Sequence, residues 1–194
     1  MERIAELQQL IADFAKVKRF PHLADIPRRE NDAEHSYGLA MTAWFLSGHI
    51  APELDVGKVL RYALAHDLVE LYAGDTHVFA PAKVKATKDA RELKALAQLK
   101  KEWPDFKDMA RYIEGYKNKA EEEAIFVYAV DKILPTIMIN LGEKEKYWHR
   151  YKVTADMLAD EKRDKLRLSQ HMAPYFERFM AWAKDPDYFY KPGD

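Results

Sequence analysis

The sequence predicts an all-α protein folded as one domain over residues 1–194. Three observations carry that expectation. Apolar residues recur at three- and four-residue spacing through most of the chain, the period of helices packed by one face. No segment shows convincing two-residue alternation of a half-buried strand. No internal repeat or low-complexity linker divides the chain. With 194 residues, 48% of them hydrophobic, the chain can bury a substantial core.

Taken in order, Ile4, Leu7, Leu10, Ile11, Phe14 and Val17 make an amphipathic first helix that ends at Lys18-Arg19-Phe20-Pro21, where proline disfavours continuation. A polar connection follows, from Ile26 to Glu30. Asn31 with Glu34 resembles a capping box and Asp32 is an equal candidate for the cap, so His35 falls in the first turn of a helix running to about Ile50. Val56–Tyr72 reads as one helix buried through Val59, Leu60, Ala63, Leu64, Leu68 and Leu71, and Gly74-Asp75-Thr76 breaks it. Pro81 keeps the next stretch irregular. A charged helix spans Lys88–Lys101, and a shorter one carries Phe106, Met109, Ile113 and Tyr116. Ala120–Leu141 is the most apolar helix and should kink at Pro135, which removes a backbone donor. A polar helix from about Thr154 to Ser169 and an aromatic one from Pro174 to Ala183 pack on the rest, and the tail from Asp185 is irregular.

Composition narrows the function. A net charge of −1 gives no general reason to expect nucleic-acid or anionic-membrane partners. There is no cysteine, so any metal must be held by His, Asp and Glu. The acidic N-terminal residues do not resemble a secretory signal, and no apolar run avoids charge long enough to span a bilayer. A cytoplasmic location is the expectation.

His66-Asp67 stands in an apolar run, where an unpaired carboxylate loses its hydration at a cost. A metal ion is a sufficient partner. His35, His66, Asp67 and Asp131, from three helices, qualify as ligands for one divalent ion, and imidazole with carboxylate suits Mn, Co, Fe, Zn or Ni better than Ca. Glu70, three residues from Asp67 and four from His66, lies on the same helix face, within reach of whatever the ion binds. An ion with open positions suits phosphoester hydrolysis, with Glu70 as general acid or base. Asp75 is a second candidate for contact with water or a substrate hydroxyl. Lys18, Arg19, Arg28 and Arg29 lead into His35, and an arginine there could clamp a phosphate. Each residue also has a plainer reading: His35 as a cap, Asp131 as partner of Lys132, Glu70 as helix surface, Arg28-Arg29 as a solvated turn. The conjunction favours the site.

The ordered set His35, His66-Asp67 and Asp131 resembles the HD superfamily of metal-dependent phosphohydrolases. The strings Arg29-Glu30-Asn31-Asp32-Ala33-Glu34-His35-Ser36, His66-Asp67-Leu68-Val69-Glu70 with Gly74-Asp75, and Val130-Asp131-Lys132 are similar to its 5'-deoxynucleotidase branch over residues 10–140. The resemblance implies an HD-domain helical bundle, removal of phosphate from (deoxy)nucleoside 5'-monophosphates, and a homodimer. It also implies one divalent ion (Mn, Co, Mg, Fe, Ni or Zn) on the four ligands, with Glu70 as catalytic carboxylate. Arg19 and Phe20 fall where the family has an Arg-Trp pair near the phosphate, and Asp75, Thr76, His77 and Val78 fall on a substrate-contacting turn. Phe20 in place of tryptophan and His77-Val78 in place of an apolar residue and proline are departures. An acid directly after Glu70, expected of a guanosine-tetraphosphate hydrolase, is replaced by Leu71. A Gly-Tyr-Pro motif of cyclic-dinucleotide esterases is missing, and the extra histidines of di-iron relatives reduce to His77. Hydrolysis of another nucleotide or phosphorylated metabolite, or a non-catalytic nucleotide-sensing module, are the alternative readings.

Overall fold

Asn31 decides where the first long core helix begins. Its side chain accepts from the Glu34 backbone N–H at 3.0 Å, while the Glu34 carboxylate accepts from the Asn31 N–H at 3.0 Å. That closed capping box leaves Asp32 free to turn inward as the first helical residue. The computed structural model describes residues 1–22, 28–78 and 80–193; residues 26 and 27 of the expected polar connection and the last residue of the tail lie outside them.

Helix α1 spans Glu2–Phe14. Strands β1 (Lys18–His22) and β2 (Arg29–Asn31) follow, then α2 (Asp32–Ile50), α3 (Val56–Ala65) and α4 (Glu70–Ala73). After them come α5 (Ala82–Lys85), α6 (Lys88–Glu102), α7 (Lys107–Asn118) and α8 (Glu122–Leu141). The chain closes with α9 (Glu145–Arg150), α10 (Ala155–Arg167), a 3₁₀ turn at Ala173–Tyr175 and α11 (Phe176–Lys184). The all-α expectation holds, and one apolar cluster runs from Leu10 to Phe189. At its centre is α8, with Ala124, Phe126, Val127, Ala129 and Val130 fully buried. By length and composition alone α8 could cross a membrane, although Asp131 and Lys132 interrupt its apolar run as the sequence reading has it. Its long run of apolar residues is explained by its place at the core, where α2, α3, α7, α10 and α11 all pack on it.

Several local expectations are corrected. The antiparallel hairpin β1–β2 was not legible, because its inward positions are Arg19, Pro21 and Glu30 rather than apolar residues. Its register pairs Lys18 with Asn31 and His22 with Arg29, with an irregularity between. A bulge of this kind accommodates Pro21 and re-aims the residues beside it. The helix expected over Val56–Tyr72 breaks at His66. Short turns replace it: Leu68 N–H donates to Ala65 C=O at 3.2 Å, Glu70 to Asp67 at 2.8 Å, and Leu71 to Leu68 at 3.2 Å. The single-turn helices α5 and α9 occupy stretches where no helix was expected. Helix α8 continues through Pro135 as one element.

Candidate active site

The break at His66 builds the site. Bonds between residues three apart eclipse their side chains, so Asp67 and Glu70 end side by side instead of separated along a regular helix. Gly74 then reverses the chain at φ 72° and ψ 148°, a conformation open essentially to glycine alone, and delivers Asp75 to Val78 to the same side. Arg91 on α6 fixes this turn by donating to the Ala73 carbonyl and, at 2.7 Å, to the Thr76 hydroxyl.

His35, His66 and Asp131 meet from α2, the end of α3 and α8. One donor atom from each lies within 4.8 Å of the others, and all three residues are buried. His66 Nδ1–H donates to the Ala63 carbonyl at 2.8 Å, which turns Nε2 and its lone pair into the cluster. Nε2 is buried and has no hydrogen-bond partner among the described residues. It lies 2.9 Å from Asp67 Oδ2 and 3.9 Å from Asp131 Oδ1, converging with them without the alignment of a hydrogen bond. His35 Nε2 is 2.9 Å from Asp131 Oδ1. Tyr116 and Lys132 donate to Asp131 Oδ2 at 2.8 and 2.5 Å. Burial alone would raise the Asp131 carboxyl. Lys132 first, and the contact with His35, overcome it and hold the group well below the carboxylate range. Asp67, buried beside His66 and Arg19, is likewise held ionised. Two imidazoles and two ionised carboxylates around an orphaned nitrogen are the donor set of a divalent transition ion.

A second group, Asp32, Asp67 and Glu70, adjoins the first through Asp67. Arg19, buried and brought inward from β1, donates to Asp32 at 3.1 Å and Asp67 at 2.8 Å and sits 3.8 Å from Glu70. Its guanidinium is therefore engaged by carboxylates and acts first as their counter-charge. Asp32, read in the sequence only as a cap candidate, is fully buried here. Its carboxyl is pushed up to about 6 by burial, which the Arg19 charge only partly offsets. Glu70 goes further, up to about 10, through burial and the adjacent Asp67 and Asp75 carboxylates.

These residues open into a cavity of about 390 Å³. Its walls include Arg19, Phe20, Asp67, Glu70, Asp75, Thr76, His77, Val78 and Asp131, so the sequence-nominated residues converge, while His35 and His66 lie behind them. Phe20 stacks on His77 with ring centroids 3.9 Å apart, and His77 Nε2 lies 2.5 Å from the Tyr147 hydroxyl. Burial, with Lys85 and Arg29 nearby, lowers the His77 imidazolium to about 4, so the neutral ring accepts from Tyr147. Three nominated cations do not line the cavity: Arg28 pairs with Glu34 at 2.5 Å, Lys18 is exposed, and Arg29 is exposed and lies over the Phe20 ring at 5.0 Å. The sequence reading missed the far wall, made by Tyr147, Trp148, Leu158, Glu161, Lys162 and Lys165.

Residues 13–172 match the HD-domain family. The chain belongs to that family. The match runs past residue 142, where the resemblance read from the sequence stopped, and takes in α9 and α10. Among solved structures, a predicted metal-dependent phosphohydrolase from Magnetospirillum magnetotacticum MS-1 is similar at 28% identity, with a TM-score of 0.81 over 97% of this chain and 96% of that one. A conserved hypothetical protein from Pyrococcus furiosus shares the fold at 23% identity and TM-score 0.60, covering 91% of this chain and 99% of its own. A protein from Pyrococcus horikoshii OT3 does so at 21% and 0.62, covering 93% and 98%. No curated protein matches the sequence. HD phosphohydrolases are metal-dependent, and the buried His/Asp cluster of this HD-domain chain fits such an ion by its donor chemistry and by the unpartnered His66 nitrogen.

Proposed function

We propose that this HD-domain chain removes phosphate from (deoxy)nucleoside 5'-monophosphates, with His35, His66, Asp67 and Asp131 holding one divalent ion. The observation that carries the reading is the buried Nε2 of His66, without a hydrogen-bond partner among the described residues, set behind two carboxylates, Asp67 and Asp131, that line an open cavity. When bound, the ion supplies Lewis-acid chemistry, acidifying water and offsetting charge on a phosphoryl oxygen. The chain's own groups do the rest. Glu70, protonated at neutral pH in its present surroundings, is the proton donor to the leaving alcohol oxygen. With Asp67 holding an ion, less negative charge would face Glu70, so its carboxyl would titrate closer to neutral pH and could exchange protons in both directions. Asp75, at the cavity wall, is placed to orient water or a sugar hydroxyl. Arg19 keeps Asp32, Asp67 and Glu70 together and adds positive charge near the phosphate. The stacked Phe20 and His77 offer a flat surface to a nucleoside, with Thr76 and Val78 beside them.

The test is phosphate release from a panel of nucleoside mono-, di- and triphosphates by protein prepared with Mn or Co, alongside Glu70→Gln. Wild type should hydrolyse monophosphates, and the variant should lose about 10²–10⁴-fold in kcat/KM, the usual contribution of a positioned acid or base. Wild-type protein that binds nucleotides but releases no phosphate from any of them overturns the enzyme reading in favour of a sensing module. The same proposal takes the protein to be a cytoplasmic homodimer. Tyr37, Met41, Trp44 and Phe45, exposed along one stripe of α2, support self-association. Sedimentation at micromolar concentration decides it, a monomer counting against that part.

A further inference from the structure

Helix α10 turns an unusual face inward. Leu158, Glu161, Lys162 and Lys165 recur at i, i+3, i+4 and i+7, the spacing of one helical stripe, and all four line the cavity. A stripe packed against the core is ordinarily apolar. Here Lys162 is buried to 6% exposure. Its ammonium lies 2.7 Å from Glu161, and Lys165 pairs with the same carboxylate. One carboxylate thus serves two ammoniums. From the facing helix α8, Lys132 adds a third. All three lysines line the same cavity, and burial lowers the Lys162 ammonium against the pull of Glu161, with Lys165 and Lys132 acting in the same direction as burial. Lys132 pairs with Asp131, whose charge is shared with an ion once one is bound. Lys85 and Lys88 line the cavity as well, Lys88 being 3.3 Å from Glu92 and 3.9 Å from Glu70.

Like charges gathered in a part-buried cavity are costly unless an anion shares the space. A monophosphate placed on the ion and near Arg19 answers the charge at one end only. The lysines of α10 arise on another element and converge on the same cavity with positive charge in excess of their one carboxylate.

We propose that Lys162 and Lys165, with Lys132 opposite, form a second anion subsite, and that the preferred substrate carries a second phosphate in addition to the one removed. The second phosphate is either esterified elsewhere on the same sugar or joined to the first as an anhydride. In both cases the oxygen of water bonds to phosphorus, the bond from that phosphorus to the leaving oxygen breaks, and the leaving oxygen takes up a proton. The preference rests on the phosphohydrolase reading given above; the anion subsite itself does not.

The experiment compares kcat/KM for one deoxynucleoside as its 5'-monophosphate, 3',5'-bisphosphate and 5'-diphosphate, in wild type, Lys162→Gln and Lys165→Gln, all loaded with Mn. At least one doubly phosphorylated compound should exceed the monophosphate by about tenfold in wild type, and that ratio should fall by about fivefold or more in the variants. The compound favoured tells the ester source from the anhydride one. Lys165, the less buried of the two, keeps the test alive if Lys162→Gln fails to fold. Equal use of all three compounds, or a preference that survives Lys165→Gln, overturns the proposal. If no compound is hydrolysed, the phosphohydrolase reading fails by itself, and calorimetry with inorganic tripolyphosphate still judges the subsite. Wild type should bind it about tenfold more tightly than Lys165→Gln, and equal affinity refutes the subsite.

Discussion

The two walls of the cavity hold their charges in opposite ways. On the wall made by α2, the turn after α3, and α8, four groups have fixed partners: His66 is oriented by the Ala63 carbonyl, Asp131 by Tyr116 and Lys132, Asp32 and Asp67 by Arg19. On the α10 wall, two lysines share Glu161. Fixed partners hold ligand atoms within the tolerance that metal binding and catalysis demand. A shared counter-ion leaves long side chains able to adjust to an incoming anion. This difference fits the two proposals, chemistry at the first wall and anion recognition at the second.

Removing a donor from the first wall should break this division most severely. His66→Ala is expected to lose the bound ion and to reduce phosphate release about 10³-fold or more, because it removes a buried nitrogen that has no hydrogen-bond partner among the described residues. Elemental analysis reads the ion directly. An ion present at about one hundred times its dissociation constant stabilises the folded state by about 2.7 kcal/mol, so added metal should raise the Tm of wild type and leave the variant unmoved. Stoichiometric metal retained in His66→Ala would remove this histidine from the ligand set.

A gentler change sharpens the same contrast. Tyr116→Phe deletes only the hydroxyl that donates to Asp131 at 2.8 Å. Loss of such a supporting bond is expected to weaken metal binding by about 10–100-fold, measured by competition with a chelator. Unchanged affinity would mean that Lys132 alone suffices to orient Asp131, and the first wall would be less constrained than its geometry indicates.

The smallest effect concerns the hinge between the walls, where His77 on one side meets Tyr147 on the other. The folded state holds the His77 imidazolium at about 4 against an ordinary value of 6.5, so the unfolded chain binds the extra proton over that interval. Stability from this group is fully present above pH 6.5 and is lost as pH falls toward 4, amounting to on the order of 2–3 kcal/mol. His77→Gln keeps an acceptor for Tyr147 without a titrating ring. Urea denaturation at several pH values should show the variant losing less stability than wild type between pH 6.5 and 4, and parallel losses would contradict the assignment.

Sequence legibility differed between the walls for a physical reason. His66-Asp67 and Asp131 were visible because charge in an apolar run demands a partner. His35 became visible by joining them. Lys162 and Lys165 were invisible because lysine in a polar helix is ordinarily solvated, and the stripe on which they lie looks like surface until α8 is known to face it. The hairpin that carries Arg19 and Glu30 was hidden in another way. Polar residues at the inward positions of a short hairpin remove the alternation by which a strand is recognised.

What the sequence determined by itself is the helical architecture, a helix start at Asn31-Asp32 and the inventory of imidazoles and carboxylates, because periodicity and capping are local properties. What only the tertiary structure decided is their convergence. His35 and Asp131 meet across 96 residues, the chain after Ala65 abandons the regular helix to set Asp67 beside Glu70, and α10 closes the cavity with lysines. Such choices depend on which buried surfaces satisfy one another across the fold, and helical periodicity records that a face is buried without recording against what.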